Sequence, residues 1–321
     1  MPYALCSISK RSLLYGPGRR GPPTAVETNH STAMRTSQAI ILGIIQGLTE
    51  FAPVSSTAHL TLAGRLMGVV DLESPDGSED WTAFIAAIQM GTLLAALTYF
   101  MPDIIHIAVG LAGTVLPARA GDGEGGGNST WVRLGWLLIA GSMPIGTAGL
   151  LFKKRIEGRM TKSPWVIVAG LLAVSGLLAV AEAISAKTRE ISNLGLIDAI
   201  EVGVSQVIAL LPGTSRSGAT IATGLLTGLN RQAAARFSFL LMIPAVAASG
   251  LFKLPRAARS MSAGRLQVIA GILAAAVTGY LAIGAVLGYL QTHTVYPFVA
   301  YRVMIAMLVS GLLVIRKRSS L

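Results

Sequence analysis

QGLTEFAPVSSTAHL, residues 46–60, lies in one of the most apolar parts of the chain yet carries Gln46, Glu50, Ser55, Ser56, Thr57 and His59. An apolar helix entering at about residue 38 is expected to break at Pro53, because proline removes a backbone donor and turns Ala52 away from helix. A second apolar helix leaves from about residue 57. Gln46 and Glu50 are four residues apart, so they share one face of the first piece. Ser55, Ser56 and Thr57 fall where the second piece begins, beside backbone N–H groups with no helical partner. An acid, a histidine and a hydroxyl-rich helix start, set in an apolar environment, form a polar site aimed at an anion.

The two pieces are each shorter than the roughly 20 residues a membrane-spanning helix needs. They read as a re-entrant hairpin, broken at its polar centre. The pattern returns at Leu194: a short apolar piece to Leu211, a break at Pro212-Gly213, then Thr214, Ser215, Arg216 and Ser217, and a second short piece to about Leu229. Placing Pro53 on Pro212 pairs Ser55 with Thr214, Ser56 with Ser215 and Thr57 with Arg216, a weak internal repeat. Full-length spans are predicted at about 81–101, 131–152, 164–184, 235–252, 266–290 and 298–315. A hairpin returns to its own side and three spans cross, so the second hairpin starts on the opposite face. The fold class is therefore an all-α polytopic membrane protein with two inverted-topology repeats, each a re-entrant broken-helix hairpin plus three transmembrane helices.

The whole chain supports that frame. Of its 321 residues 52% are hydrophobic and 13% charged, with 36 glycines and a mean hydropathy of +0.63. Such apolar runs are too long for barrel strands. The net charge of +11 could suggest nucleic acid, but the bases gather at the ends of apolar segments, so no nucleic-acid partner is expected. By the predicted topology 18 of the 26 Lys and Arg residues lie on the side of the N-terminus and 6 on the other, which places both termini in the cytoplasm. A single cysteine, Cys6, allows no internal disulfide. Residues 1–36 form a basic tail rich in Gly, Pro and Ser, read as disordered and lacking a signal-peptide core. Residues 37–321 form one membrane-embedded domain, with repeat one at about 37–190 and repeat two at about 191–315. The stretches 71–80 (acidic) and 121–130 (glycine-rich) read as loops.

Glu50 is the strongest functional candidate, since a carboxylate in an apolar segment is costly to keep. It can serve as a general base, as an orienting partner for His59 or as a ligand for a divalent cation; its bland role is an ion pair with Arg216. Arg216 offers a guanidinium fork suited to phosphate oxygens, and Gly213, Thr214, Ser215, Ser217 and the nearby N–H groups complete a phosphate cup. His59, three residues after Ser56, is either a base for a Ser56 nucleophile or itself the nucleophile, against the bland reading of a packed or interfacial ring. Ser55, Ser56 and Thr57 taken singly are more often helix caps than catalysts. Arg302, near the start of the last span, reads as snorkelling to the interface, and Glu182, Asp198 and Glu201 as interfacial. Gly141, Gly146, Gly149, Gly170 and Gly176 suit close helix packing.

QGLTEFAPVSSTAHL and PGTSRSGATI (212–221) together resemble the two signature segments of the undecaprenyl-pyrophosphate phosphatase family of the bacitracin-resistance type. IQMGTLLAALTYF (88–100) and ARFSFLLMIP (235–244) extend the resemblance from about residue 37 to the C-terminus. It implies a hydrolase that takes the terminal phosphate from undecaprenyl pyrophosphate and so recycles the lipid carrier for peptidoglycan synthesis. It further implies a divalent cation (Mg²⁺ or Ca²⁺), a bacterial plasma membrane location and an active site open to the outer face. Carried over by position, Glu50, Ser56, His59 and Arg216 are the catalytic residues. Gln46, Ser55, Thr57, Gly213, Thr214, Ser215 and Ser217 support substrate, and Glu50 is the candidate metal ligand. The family's first motif position is Glu or Gln and here it is Gln46, so two acids are not both required. The nucleophile is left open between Ser56, His59 and a water activated by Glu50.

Two rivals fit parts of the pattern. Inverted repeats around broken helices also suit a transporter that flips a polyprenyl phosphate. PVSSTAH and TSRSG faintly resemble a second lipid-phosphatase superfamily, but its upstream Lys-and-Arg-Pro segment is missing and no His follows Arg216 at suitable spacing. An oligomer is compatible with this sequence, as is a monomer.

Overall fold

The computed structural model describes residues 34–69, 75–115, 126–151, 163–260 and 264–319. The expectation for the N-terminal tail therefore falls almost wholly outside the described residues. The described chain is helical: α1 (Thr36–Phe51), α2 (Ser56–Leu66), α3 (Pro75–Tyr99), α4 (Met101–Val115), α5 (Gly126–Leu151), α6 (Pro164–Ile184), α7 (Leu196–Ile208), α8 (Arg216–Leu226), α9 (Arg231–Ser260), α10 (Arg265–Thr292) and α11 (Tyr296–Ser319). A 3₁₀ turn, Ile191–Asn193, precedes α7.

Among the described residues five helical segments are long and apolar enough to cross a membrane: Asp80–Tyr99, Thr130–Leu151, Pro164–Ile184, Arg265–Thr292 and Tyr296–Ile315. The protein is a multi-pass membrane protein. The sixth expected span, about 235–252, falls within the 30-residue α9 but is not among those five; the first turns of α9 carry Arg231, Gln232 and Arg236. The outward faces suit lipid. On α10, Leu266, Ile269, Leu273, Val277 and Leu281 recur every three or four residues and are exposed, while Gly271, Ala275, Gly279, Ile283 and Val286 on the opposite face are buried.

Two predicted loops begin their helices earlier than expected. α3 starts at Pro75, whose fixed φ suits a first helical turn. α5 starts at Gly126, because adding residues to an established helix costs far less than starting one. α3 gives way to α4 at Phe100, two residues before Pro102, which cannot donate the hydrogen bond that would continue the helix.

Among the described residues five helices are too short to span: α4, with 15 residues, and the four helices that flank the two breaks. α1, with 16 residues, is about 24 Å long at 1.5 Å per residue, and α2, α7 and α8 are shorter, against about 30 Å of hydrocarbon. α1 ends where the sequence requires: Ala52, before Pro53, is extended at φ −63° and ψ 139°. α1 packs on α10 and α7 packs on α5, and glycine makes both contacts close. A Cβ on Gly43 or Gly47 would strike the α10 backbone, and one on Gly203 would strike Gly141 O. Of the glycines expected at helix contacts, Gly141 and Gly170 are closely packed, whereas Gly146, Gly149 and Gly176 face open space. Phe51 closes α1 against α9, its ring edge-on to Phe239 at 5.2 Å.

Candidate active site

The two breaks share a backbone conformation. Ser55 precedes α2 at φ 79° and ψ 92°, and Ser215 precedes α8 at φ 68° and ψ 116°. The register differs from the sequence pairing by one residue. Ser55 matches Ser215 and Ser56 matches Arg216, because Pro212 stands three residues before its serine where Pro53 stands two. The additional residue is accommodated beside Gly213, at φ +90°, where a Cβ would strike Ile167 O. Gly170 of α6 is equally tight, since a Cβ there would lie 2.8 Å from Pro212 O.

Glu50 is the hub, in the last turn of α1 and buried. Its Oε2 accepts from Ser56 Oγ at 2.6 Å and from Gln46 Nε2 at 3.1 Å; its Oε1 accepts from Gln89 Nε2 at 3.2 Å and forms an ion pair with Arg216. One carboxylate thus joins α1, the start of α2, α3 and the start of α8. Ser217 Oγ makes a second link by donating to Ala52 O at 3.1 Å. Gln46 Oε1 is buried without a hydrogen-bond partner, as is Gln206 Oε1 of α7.

His59 is placed differently from the sequence expectation. Its Nδ1 lies 2.8 Å from Ser55 O and its Nε2 2.8 Å from Tyr301 Oη, and the two rings stack at 5.5 Å. A carbonyl accepts only, so Nδ1 carries the proton and, in the neutral ring, Nε2 accepts from the tyrosine. The Ser56 hydroxyl is directed to Glu50, and both ring nitrogens of His59 are engaged elsewhere.

The remaining candidates divide. Ser215 Oγ caps α8 by accepting from Gly218 N at 3.1 Å and lies 3.2 Å from Ser217 Oγ. Thr214 turns back to its own side of the break, donating to Leu211 O and Ile208 O. Thr57 is exposed in the first turn of α2, and Ser55 contributes its carbonyl to His59. α2 has no side-chain cap, so its first-turn N–H groups are not taken up in that way. Among the described residues no cluster of three His, Cys, Asp or Glu side chains could hold a metal.

Two contributors, Gln89 and Tyr301, were missed in the sequence, and a third, Arg302, was misplaced. Gln89, an uncharged polar residue inside an apolar span, carried a usable signal. Arg302 does not snorkel. It is completely buried, and its donors fall on backbone carbonyls of both breaks and of α6.

Away from the breaks, three ion pairs gather residues the predicted topology puts on one side. Glu182 holds Arg231 through both carboxylate oxygens, Asp103 holds Arg236, and Asp198 pairs with Arg189. Glu182 and Asp103 are buried within the protein. Burial works to raise the Asp198 carboxyl, but Arg189 and the Gly195 N–H outweigh it and hold the group below its ordinary 3.8.

Residues 39–308 match the family model described as bacitracin resistance protein BacA. The chain is 47% identical over 273 residues to an undecaprenyl-diphosphatase of Syntrophobacter fumaroxidans, covering 85% of this chain and 95% of that protein. It is 43% identical over 277 residues to an undecaprenyl-diphosphatase of Acidothermus cellulolyticus, covering 86% and 96%. It is 42% identical over 288 residues to an undecaprenyl-diphosphatase of Mycobacterium tuberculosis, covering 88% and 95%.

Proposed function

The chain belongs to the bacitracin resistance protein BacA family, and from that premise we propose that it hydrolyses undecaprenyl pyrophosphate to undecaprenyl phosphate and inorganic phosphate. The observation that carries the proposal is the buried junction where Glu50 and the Ser56 hydroxyl of the first break meet the Arg216 guanidinium of the second. Those are a base, a nucleophile and an anion receptor in one place. The comparisons give the transporter reading no support, since the relatives carry a phosphatase's name.

In this mechanism the pyrophosphate draws Arg216 from Glu50 onto its own oxygens, where the guanidinium fork binds phosphate well. Free N–H groups at the start of α2 add further donors. Ser56 Oγ attacks the terminal phosphorus as its proton passes to Glu50. The Oγ–P bond forms, the bridging P–O bond breaks, and undecaprenyl phosphate leaves. Water then attacks the phosphoserine: its oxygen bonds to phosphorus, the Oγ–P bond breaks, Glu50 returns its proton to Ser56 Oγ, and inorganic phosphate leaves with both protons of the water. Once Arg216 has moved to the phosphate, Glu50 Oε1 is released from its ion pair. His59, held by Ser55 and Tyr301, fixes the first break beside the nucleophile.

A divalent cation fits the donor set. Gln46 offers an unpartnered buried amide oxygen next to the Glu50 carboxylate, and a Mg²⁺ or Ca²⁺ held there would take its other ligands from phosphate oxygens. Its chemistry would be to neutralise charge on the phosphates.

The fold proposal is two inverted repeats with re-entrant broken helices. Three likenesses support it: the backbone at Ser55 and Ser215, the packing of α1 on α10 and α7 on α5, and Gln46 and Gln206, each nine residues ahead of its serine. Cytoplasmic termini follow from the basic asymmetry, and a site open to the outer face is what the family resemblance implies.

The test is phosphate release from undecaprenyl pyrophosphate by the purified full chain in detergent, with and without EDTA, beside Glu50→Ala and Arg216→Ala. Release in wild type that EDTA removes and both variants lack is the expected result. No release from monodisperse wild-type protein would sink the hydrolase reading.

A further inference from the structure

Arg302 heads the fully buried side chains by size, yet the ion pairs of the described residues do not include it. Its donors spread over three segments. Nη1 donates to Pro53 O at 3.1 Å, in the first break. Nη2 lies 3.3 Å from Gly213 O and 3.1 Å from Thr214 O in the second break, and 3.3 and 3.1 Å from Gly170 O and Leu171 O of α6. Nε donates to Ser175 Oγ at 3.2 Å.

A buried cation surrounded by carbonyls is a costly choice where a methionine or leucine would fill the volume. What the guanidinium supplies, and an apolar side chain does not, is a planar set of donors in fixed directions. Here those directions reach both breaks at once. The oxygens of Pro53, Gly213 and Thr214 would repel an arriving phosphate if they faced it, and they are turned onto Arg302 instead. Ser56 stands three residues after Pro53 and Arg216 two residues after Thr214, so fixing these carbonyls fixes the nucleophile against the anion receptor.

We propose that Arg302 is a positioning residue of the phosphatase site: its one guanidinium sets the spacing of the two breaks on which the meeting of Glu50 and Ser56 with Arg216 depends. The proposal rests on the hydrolase reading above. It assigns Arg302 no contact with substrate.

The test uses the full chain in detergent with undecaprenyl pyrophosphate and compares wild type, Arg302→Lys, Arg216→Lys and the double variant. Lysine keeps the charge but has one nitrogen, which cannot span both breaks. Arg302→Lys should lower kcat by roughly 100-fold, the effect of an ångström-scale misplacement, with KM nearly unchanged in the monodisperse fraction. The double variant should lose little more than the worse single one, because both changes spoil the same geometry. A residue acting only on overall stability would leave kcat per folded molecule intact and its losses would multiply with those of Arg216→Lys; either result would overturn the proposal. Should Arg302→Lys fail to fold, Ser175→Ala decides. It removes only the acceptor of Nε, and should lower kcat severalfold at constant KM; unchanged kcat would overturn the assignment. An inactive wild type would instead strike the hydrolase reading itself.

Discussion

Replacing Glu50 by Gln keeps the shape of the hub and removes one charge. The carboxylate accepts from four side chains, Gln46, Ser56, Gln89 and Arg216. In the variant an amide oxygen can still face Gln89 and Arg216, while the new amide nitrogen meets Ser56 and Gln46. Gln46 can turn its own amide and offer the oxygen that has no partner at present. Ser56 loses its acceptor, and Arg216 loses its counter-ion. Breaking a buried pair from one side costs about 3–5 kcal/mol; the Arg216 side chain is 17% exposed, which places the loss near the low end, about 3 kcal/mol. Removing the base from Ser56 separately lowers kcat by about 10²–10⁴-fold, or about 3–5 kcal/mol of barrier. The assay is phosphate release per folded molecule, read beside the thermal midpoint in the same detergent. Adding Arg216→Gln makes the hub neutral, so the double variant should regain most of the lost stability and none of the activity. A Glu50→Gln enzyme within roughly threefold of wild-type kcat would refute the assignment of Glu50 as base. A double variant less stable than Glu50→Gln alone would refute the charge argument.

Three further outcomes are expected. Gly213→Ala places a Cβ on a backbone at φ +90° and against Ile167 O, so the melting midpoint should fall by the equivalent of more than about 1–2 kcal/mol; an unchanged midpoint would show that the second break is free to move. Tyr301→Phe keeps the ring stack on His59 and deletes one hydrogen bond, worth about 1 kcal/mol, so activity should drop less than in Ser56→Ala; complete loss would place Tyr301 in the chemistry. Asp198 is held below 3.8, so its pairing stabilises the fold fully above that pH and is lost as pH falls through the lower native value. The gap in melting midpoint between wild type and Asp198→Asn should be constant from neutral pH to about 4 and close below it; a gap that closes near pH 6 would contradict this.

What the chain disclosed follows the range of each signal. The end of α1 was legible because proline acts on its own neighbour, and Glu50 and Arg216 because charges are scarce in apolar segments. The register of the second break was not, since similarity of letters hides the extra residue ahead of Ser215. Arg302 was misread because its place near the end of a span says nothing about which side of α11 faces the breaks. Tyr301, its chain neighbour, is 38% exposed while Arg302 is 0%. His59 was paired with Ser56 on helical spacing, but Ser55, at φ 79°, turns the chain so that the ring meets the Ser55 carbonyl instead. Serine at that backbone angle is strained, and nothing in its identity announces it.

Glu50 and Arg216 are 166 residues apart in the chain, and Arg302 reaches back 249 residues to Pro53. Closing loops of that length is slow and has little local reward, so these contacts belong to the end of folding. During synthesis a growing chain that already holds Glu50, Ser56, His59 and Arg216 still lacks the arginine that joins the two breaks. By the proposal above, the site is fully assembled only once α11, which carries Arg302, has been made.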